Sequence, residues 1–99
     1  MPNIRLSWQN PTAASADEWD VNKMVVFRKD GDHTSETNFD TFRTGATQVR
    51  EVTADFSVSG TTSTIDDENV ASGTYTYGVF SRNDGGFGSG DLIDTAITV

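Results

Sequence analysis

The sequence contains no cysteine, and it has only seven basic residues and one histidine in 99 positions. Without cysteine the chain has no disulfide framework, no thiolate nucleophile and no Cys-ligated zinc or iron–sulfur site. Fifteen acidic residues outnumber the seven basic ones, so the net charge is −8. A charge of this sign repels the phosphate backbone of a nucleic acid, and we therefore expect no nucleic-acid partner.

Long hydrophobic runs are also missing. No segment approaches the roughly 20 apolar residues of a membrane-spanning helix, and residues 1–8 lack the apolar stretch of a signal peptide. We therefore expect a soluble protein without a membrane partner, starting at its native initiator methionine. The length is typical of one domain, which predicts a single domain over residues 1–99.

The pattern that is present has a period of two, and β-branched and aromatic residues dominate the apolar runs. It predicts strands at residues 4–8, 20–29, 36–43, 52–58, 64–65, 74–82 and 93–99, an acidic turn at 66–68 and a glycine-rich loop at 84–90. The strand at 36–43 is the weakest of these. One sheet cannot cover its own apolar face, so six or seven strands predict an all-β, antiparallel two-sheet β-sandwich.

Two segments resemble a fibronectin type III domain. Residues 6–11, Leu-Ser-Trp-Gln-Asn-Pro, resemble its second strand, and residues 73–83 resemble its sixth strand with the corner tyrosine. The resemblance implies a fibronectin type III-like or immunoglobulin-like sandwich. Its core residues would be Trp8, Met24, Val26, Tyr75, Tyr77 and Val79. The chain departs from the pattern because no first strand fits before residue 3 and because residues 36–60 are long enough for an extra strand or hairpin.

Catalytic and metal sites find little support. A Ser–His–Asp triad holds a histidine between an acid and a nucleophile, whereas His33 lies in a predicted turn. In the resembled topology, Asp30 and Asp32 fall at the same end as the acidic turn, but they do not match a calcium-binding loop. We therefore expect a protein that is not an enzyme and that has no metal and no cofactor.

The outer face of one predicted sheet carries apolar residues. If Met24 and Val26 face the core, their neighbours on the strand face outward, because strand side chains alternate. The expected outward stripe comprises Val25, Phe27, Phe80, Leu92 and Ala96. Two interpretations stay open: the stripe is a docking surface for another protein, or residues 36–60 fold over it.

Two further features suggest contacts with another protein. Phe87 in the glycine-rich loop either contacts a partner or packs over the end of the core. A missing first strand would leave a sheet edge without a neighbour, where another subunit could pair.

Together these features predict a small non-catalytic structural or interaction protein that acts by protein–protein contact. We expect a virion component of a bacteriophage, either a capsid decoration or cement protein or a tail or fibre protein. Its partners would be capsid or tail subunits or further copies of itself, in an oligomeric assembly. The alternative is a carbohydrate-binding or adhesion module of a secreted or surface protein, with Trp19 and Phe87 as sugar-stacking aromatics.

Overall fold

The computed structural model describes residues 2–10, 21–53 and 61–99. In these ranges the chain forms seven strands and one short helix, so the predicted all-β class is confirmed. The elements in chain order are β1 (Ile4–Gln9), β2 (Lys23–Asp30), α1 (Phe39–Arg43), β3 (Thr47–Val52), β4 (Thr62–Asp67), β5 (Thr74–Asn83), β6 (Gly86–Leu92) and β7 (Ile97–Thr98). The helix found there is too short to span a membrane.

The strands form two antiparallel sheets. The small sheet pairs β1 with β4, with Leu6 opposite Ile65. The large sheet has the order β3-β2-β5-β6, and β7 pairs with the first residues of β5. Within the large sheet, β5 lies between β2 and β6.

A first hydrophobic cluster joins the two sheets. In β1 the buried residues alternate with exposed ones, so Ile4 and Leu6 point to this cluster while Arg5 and Ser7 face solvent. Its buried members are Ile4, Leu6, Val26, Ile65, Val70, Tyr75 and Tyr77. Of the other residues expected in the core, Trp8 and Val79 are partly buried against this cluster. Met24 is buried, with 6% of its surface exposed, but it does not belong to the cluster.

A polar contact also joins the sheets. Asp67, at the end of β4, accepts hydrogen bonds at 2.7 Å from the Tyr77 hydroxyl and from Arg28 Nη1. Since β4 belongs to the small sheet while Arg28 and Tyr77 lie on strands of the large one, a single carboxylate connects the two layers. Burial, together with the hydrogen bond to Asp67, raises the pKa of the Tyr77 hydroxyl above its usual range, so Tyr77 remains a protonated donor.

The predicted acidic turn at residues 66–68 is wrong at its first two positions, because Asp66 and Asp67 are the last residues of β4. The pleat sends them to opposite faces. Asp67 points inward, whereas Asp66 accepts a hydrogen bond from Arg5 Nε at 2.9 Å on the outer face. That interaction with Arg5 lowers the pKa of Asp66.

The strand predicted at residues 36–43 is also wrong, because the structure has the helix α1 there. Asn38 caps the helix, and its side-chain oxygen accepts a hydrogen bond from the Thr41 N–H at 3.1 Å. Phe39 and Phe42 are three residues apart, a spacing that places them on the same side of a helix. The helix ends before Gly45, whose φ of 80° favours glycine.

The remaining differences concern strand limits. β3 covers Thr47–Val52, so it begins before the strand predicted at 52–58, and residues 54–60 lie outside the described part of the chain. The predicted glycine-rich loop at 84–90 is wrong, since most of it forms β6. The strand predicted at 93–99 is reduced to β7.

Gly90 of β6 has a packing role rather than the loop role that the sequence suggested. Gly90 lies opposite Phe80, and a Cβ at Gly90 would overlap the Phe80 ring. At Gly78, on β5, a Cβ would come within 2.8 Å of the same ring. Aromatic rings commonly cover glycine in this way on neighbouring strands. The ring of Phe80 therefore occupies the space that these two glycines leave.

Replacing Asp67 by asparagine should destabilise the fold by about 3 kcal/mol, because it leaves the Arg28 guanidinium largely buried without its counter-charge. The matched change Asp66→Asn removes only an exposed ion pair and should have little effect. Urea unfolding of both variants measures the difference. Equal losses of stability would contradict the role assigned to Asp67.

Replacing Gly90 by alanine should destabilise the protein by about 1–3 kcal/mol, because the added methyl group forces the Phe80 ring to move. Thermal unfolding of Gly90→Ala is compared with Gly90→Ala in a Phe80→Leu background. If the methyl group and the ring conflict, the alanine costs less stability when residue 80 is leucine. An equal cost in both backgrounds would show that the glycine matters for another reason.

Candidate functional site

The outer face of the large sheet is covered. Val25 and Phe80 have no exposed surface and Phe27 has 7%. They form a second hydrophobic cluster with Phe42 of α1, and Phe39, Ala46 and Leu92 pack against it. Of the two interpretations left open by the sequence, folding of the middle segment over the stripe is the one observed. The expectation that Val25, Phe27 and Phe80 form an exposed docking stripe is corrected accordingly.

Phe80 is at the centre of this second cluster. Its ring centroid lies 5.8 Å from that of Phe27, 5.4 Å from Phe39 and 6.0 Å from Phe42. The Phe27 and Phe39 rings meet it edge-on, the arrangement that aromatic quadrupoles favour. The cluster therefore extends from the sheet to the helix and holds α1 in place.

Phe87 is the one large hydrophobic side chain that is exposed among the described residues, with 39% of its surface accessible. Its ring meets Phe27 edge-on at 5.5 Å. The guanidinium carbon of Arg43 lies 4.6 Å from the ring centroid and that of Arg82 lies 5.6 Å away. The sequence placed Phe87 on a loop, either as a contact with a partner or packed over the end of the core. The structure places it on β6, partly exposed and held by three neighbours.

An open groove of about 440 Å³ runs beside Phe87, between α1 and β6. It is lined by Thr37, Asn38, Phe39, Asp40, Arg43, Phe87 and Gly88. Sequence reasoning missed this groove because it depends on α1, and the asparagine cap followed by two phenylalanines three residues apart was the signal available.

Arg43 forms one wall of the groove. Its Nη2 donates to Asp40, while its Nη1 is buried and has no hydrogen-bond partner among the described residues. The guanidinium instead lies over the rings of Phe80 and Phe87, at 4.8 and 4.6 Å from their centroids. Cation–π attraction stabilises a guanidinium in this position. Arg43 thus links the second cluster to the exposed ring.

His33 has a structural role in the turn after β2. Its backbone N–H donates to Thr76 Oγ1 at 2.8 Å, and its Nε2 lies 2.8 Å from the Asp30 carbonyl oxygen. In the same turn, Asp32 accepts two hydrogen bonds from Thr34, which lower the pKa of Asp32. Within residues 2–10, 21–53 and 61–99, no three His, Asp or Glu side chains are grouped so that they could hold a metal ion.

Two other expectations concern sheet edges and sugar binding. On its other side β1 has no strand of the described residues as a neighbour. Trp19, the proposed partner of Phe87 in sugar stacking, lies outside the described residues.

No protein-family model matches the chain, and neither a curated protein nor a solved structure gives a significant match. The function is therefore inferred from the surface itself, in which a fixed, partly exposed phenylalanine borders an open groove.

Replacing Phe42 by alanine should cost about 3–5 kcal/mol of stability, because its fully buried ring fills the space between α1 and Phe80. Phe87→Ala is the matched control and should cost much less, since its ring is partly exposed. Chemical denaturation of both variants provides the measurement. A Phe42→Ala protein as stable as the wild type would show that α1 does not cover the sheet.

Proposed function

We propose that this chain is a non-catalytic interaction module that binds another protein through Phe87 and the adjoining groove. The observation that carries the proposal is the partial exposure of Phe87 on a strand where three neighbours hold its ring. Aromatic side chains that are fixed before binding lose little conformational entropy in a complex. Such residues often supply a large share of the binding energy of an interface.

For the fold, we propose a fibronectin type III-like β-sandwich. The pairing of β1 with β4 and the adjacency of β2, β5 and β6 support it, because they follow the strand neighbours of that fold. The Tyr75 hydroxyl donates to the Ala71 carbonyl oxygen at 2.7 Å, four residues upstream. A tyrosine corner in a β-sandwich makes the same backward hydrogen bond.

More specifically, we propose that the protein is a structural component of a bacteriophage particle, such as a decoration, cement, tail or fibre protein. A net charge of −8 and acidic residues in the turns support a role on the surface of an assembly rather than against its nucleic acid. A small β-protein with one pre-ordered apolar contact also suits repeated docking onto identical subunits.

The alternative, a carbohydrate-binding or adhesion module, has one favourable observation. Thr37, Asn38 and Asp40 line the groove beside Phe87 and offer polar groups to a sugar. However, the guanidinium groups of Arg43 and Arg82 both lie over the Phe87 ring and would compete with a stacked sugar. The two guanidinium groups therefore weigh against sugar stacking on Phe87.

The proposed function predicts that the purified protein co-sediments with particles of the phage whose genome carries this sequence. Phe87→Ala should reduce that binding at least about tenfold, whereas Gln48→Ala, an exposed change on β3, should leave it unchanged. Circular dichroism confirms that both variants fold. Wild-type protein that remains in the supernatant and binds a soluble glycan on an array would contradict the particle proposal and favour the alternative.

A further inference from the structure

The large sheet ends at β3 on one side and at β6 on the other. β3, at one edge, carries the exposed charges Arg50 and Glu51, and its pairing with β2 is interrupted by a register shift between Val26 and Phe27. Charges and bulges are the usual devices that prevent a further strand from adding to an edge. β6, at the other edge, has the sequence Gly-Phe-Gly-Ser-Gly-Asp-Leu, with one charge and no proline. Its pairing with β5 also has a register shift, between Phe80 and Arg82. From Gly90 to Leu92 the pairing with β5 is regular, so this short stretch is the part of the β6 edge that a further strand can join.

The backbone groups of β6 that face this edge follow from the pairing with β5. The Ile93 N–H donates to the Tyr77 carbonyl oxygen at 3.0 Å. Hydrogen-bonded pairs alternate along an antiparallel ladder, so Asp91 bonds to β5 next, opposite Val79. The N–H and C=O groups of Gly90 and Leu92 consequently point away from β5. No other described strand pairs with them.

The side chains along β6 give its two faces different chemistry. Phe87 and Leu92 lie on the face toward α1, where the groove runs. Asp91 is next to Leu92 and projects to the opposite face, where it is exposed. Asp84 precedes the strand and Asp94 follows it, and both are exposed. Neither Asp91 nor Asp94 forms an ion pair with another described residue.

We propose that β6 binds an extended, basic segment of the partner protein as an added β-strand. This inference rests on the proposed function and specifies the partner. Apolar side chains of the segment would pack against Phe87 and Leu92, while basic side chains on its other face would approach Asp91. A second copy of this chain fits less well, because each copy carries a net charge of −8 and charges of like sign repel.

The test uses synthetic nine-residue peptides with alternating lysine and valine. Fluorescence anisotropy should show binding of the lysine–valine peptide and none of the matched glutamate–valine peptide. N-methylation of alternate peptide nitrogens removes backbone donors, so it should weaken binding at least about tenfold if a strand is added. Asp91→Lys should weaken binding by a similar factor. Glu68→Lys, the same charge reversal at an exposed position after β4, should weaken it much less.

Amide hydrogen exchange locates the peptide. The Gly90 and Leu92 amides should exchange quickly in the free protein and at least about tenfold more slowly in the complex. Slow exchange in the free protein at low concentration would overturn the proposal, since another part of the chain would already cover the edge. Protection that increases with protein concentration alone would overturn it in favour of a second copy. Equal binding of the N-methylated peptide would also overturn it, because charge alone would explain the affinity.

The two proposals fail in different ways. If particle binding depends on Phe87 but no peptide protects Gly90 and Leu92, the interaction surface stands and strand addition is wrong. If particle binding survives Phe87→Ala, the proposed function itself is wrong.

Discussion

The structure depends on the double-sided apolar character of β2. Val25 and Val26 are adjacent and both have no exposed surface, so both faces of the large sheet must be covered. The small sheet covers the face of Val26, and α1 covers the face of Val25. A strand that is half-buried needs only one covering layer, whereas this one needs two. The placement of α1, and with it the groove beside Phe87, follows from that requirement.

The two covering layers are held by different forces. The small sheet is joined to the large one by apolar packing and by the Asp67 carboxylate, which satisfies both Arg28 and Tyr77. Burying a charge is costly unless it is paired, so this contact favours one arrangement of the sheets over others that would leave the charge unpaired. On the other face the contacts are aromatic and centre on Phe80. The Phe80 ring leaves no room for a Cβ at Gly90 of β6.

Sequence reasoning predicted β1 and β5, where apolar and polar residues alternate regularly, and it missed α1 and β6. The alternation of Ile4 and Leu6 with exposed neighbours predicted β1 correctly. Helix α1 was missed because a single short turn has too few residues to establish a 3.6-residue period. β6 was missed because glycine is typical of loops, and its role against Phe80 appears only when β5 and β6 are paired.

The sequence by itself determined the all-β class, the alternation that sorts inward from outward residues, and the acidic charge. These properties are local or additive, so they can be derived without knowing which strands meet. Only the tertiary structure decided that Val25, Phe27 and Phe80 are covered, that Asp67 is buried, and that Phe87 remains exposed. Each of these outcomes depends on contacts between distant segments, such as Phe42 with Phe80, and the pattern along one strand does not show which segment covers it.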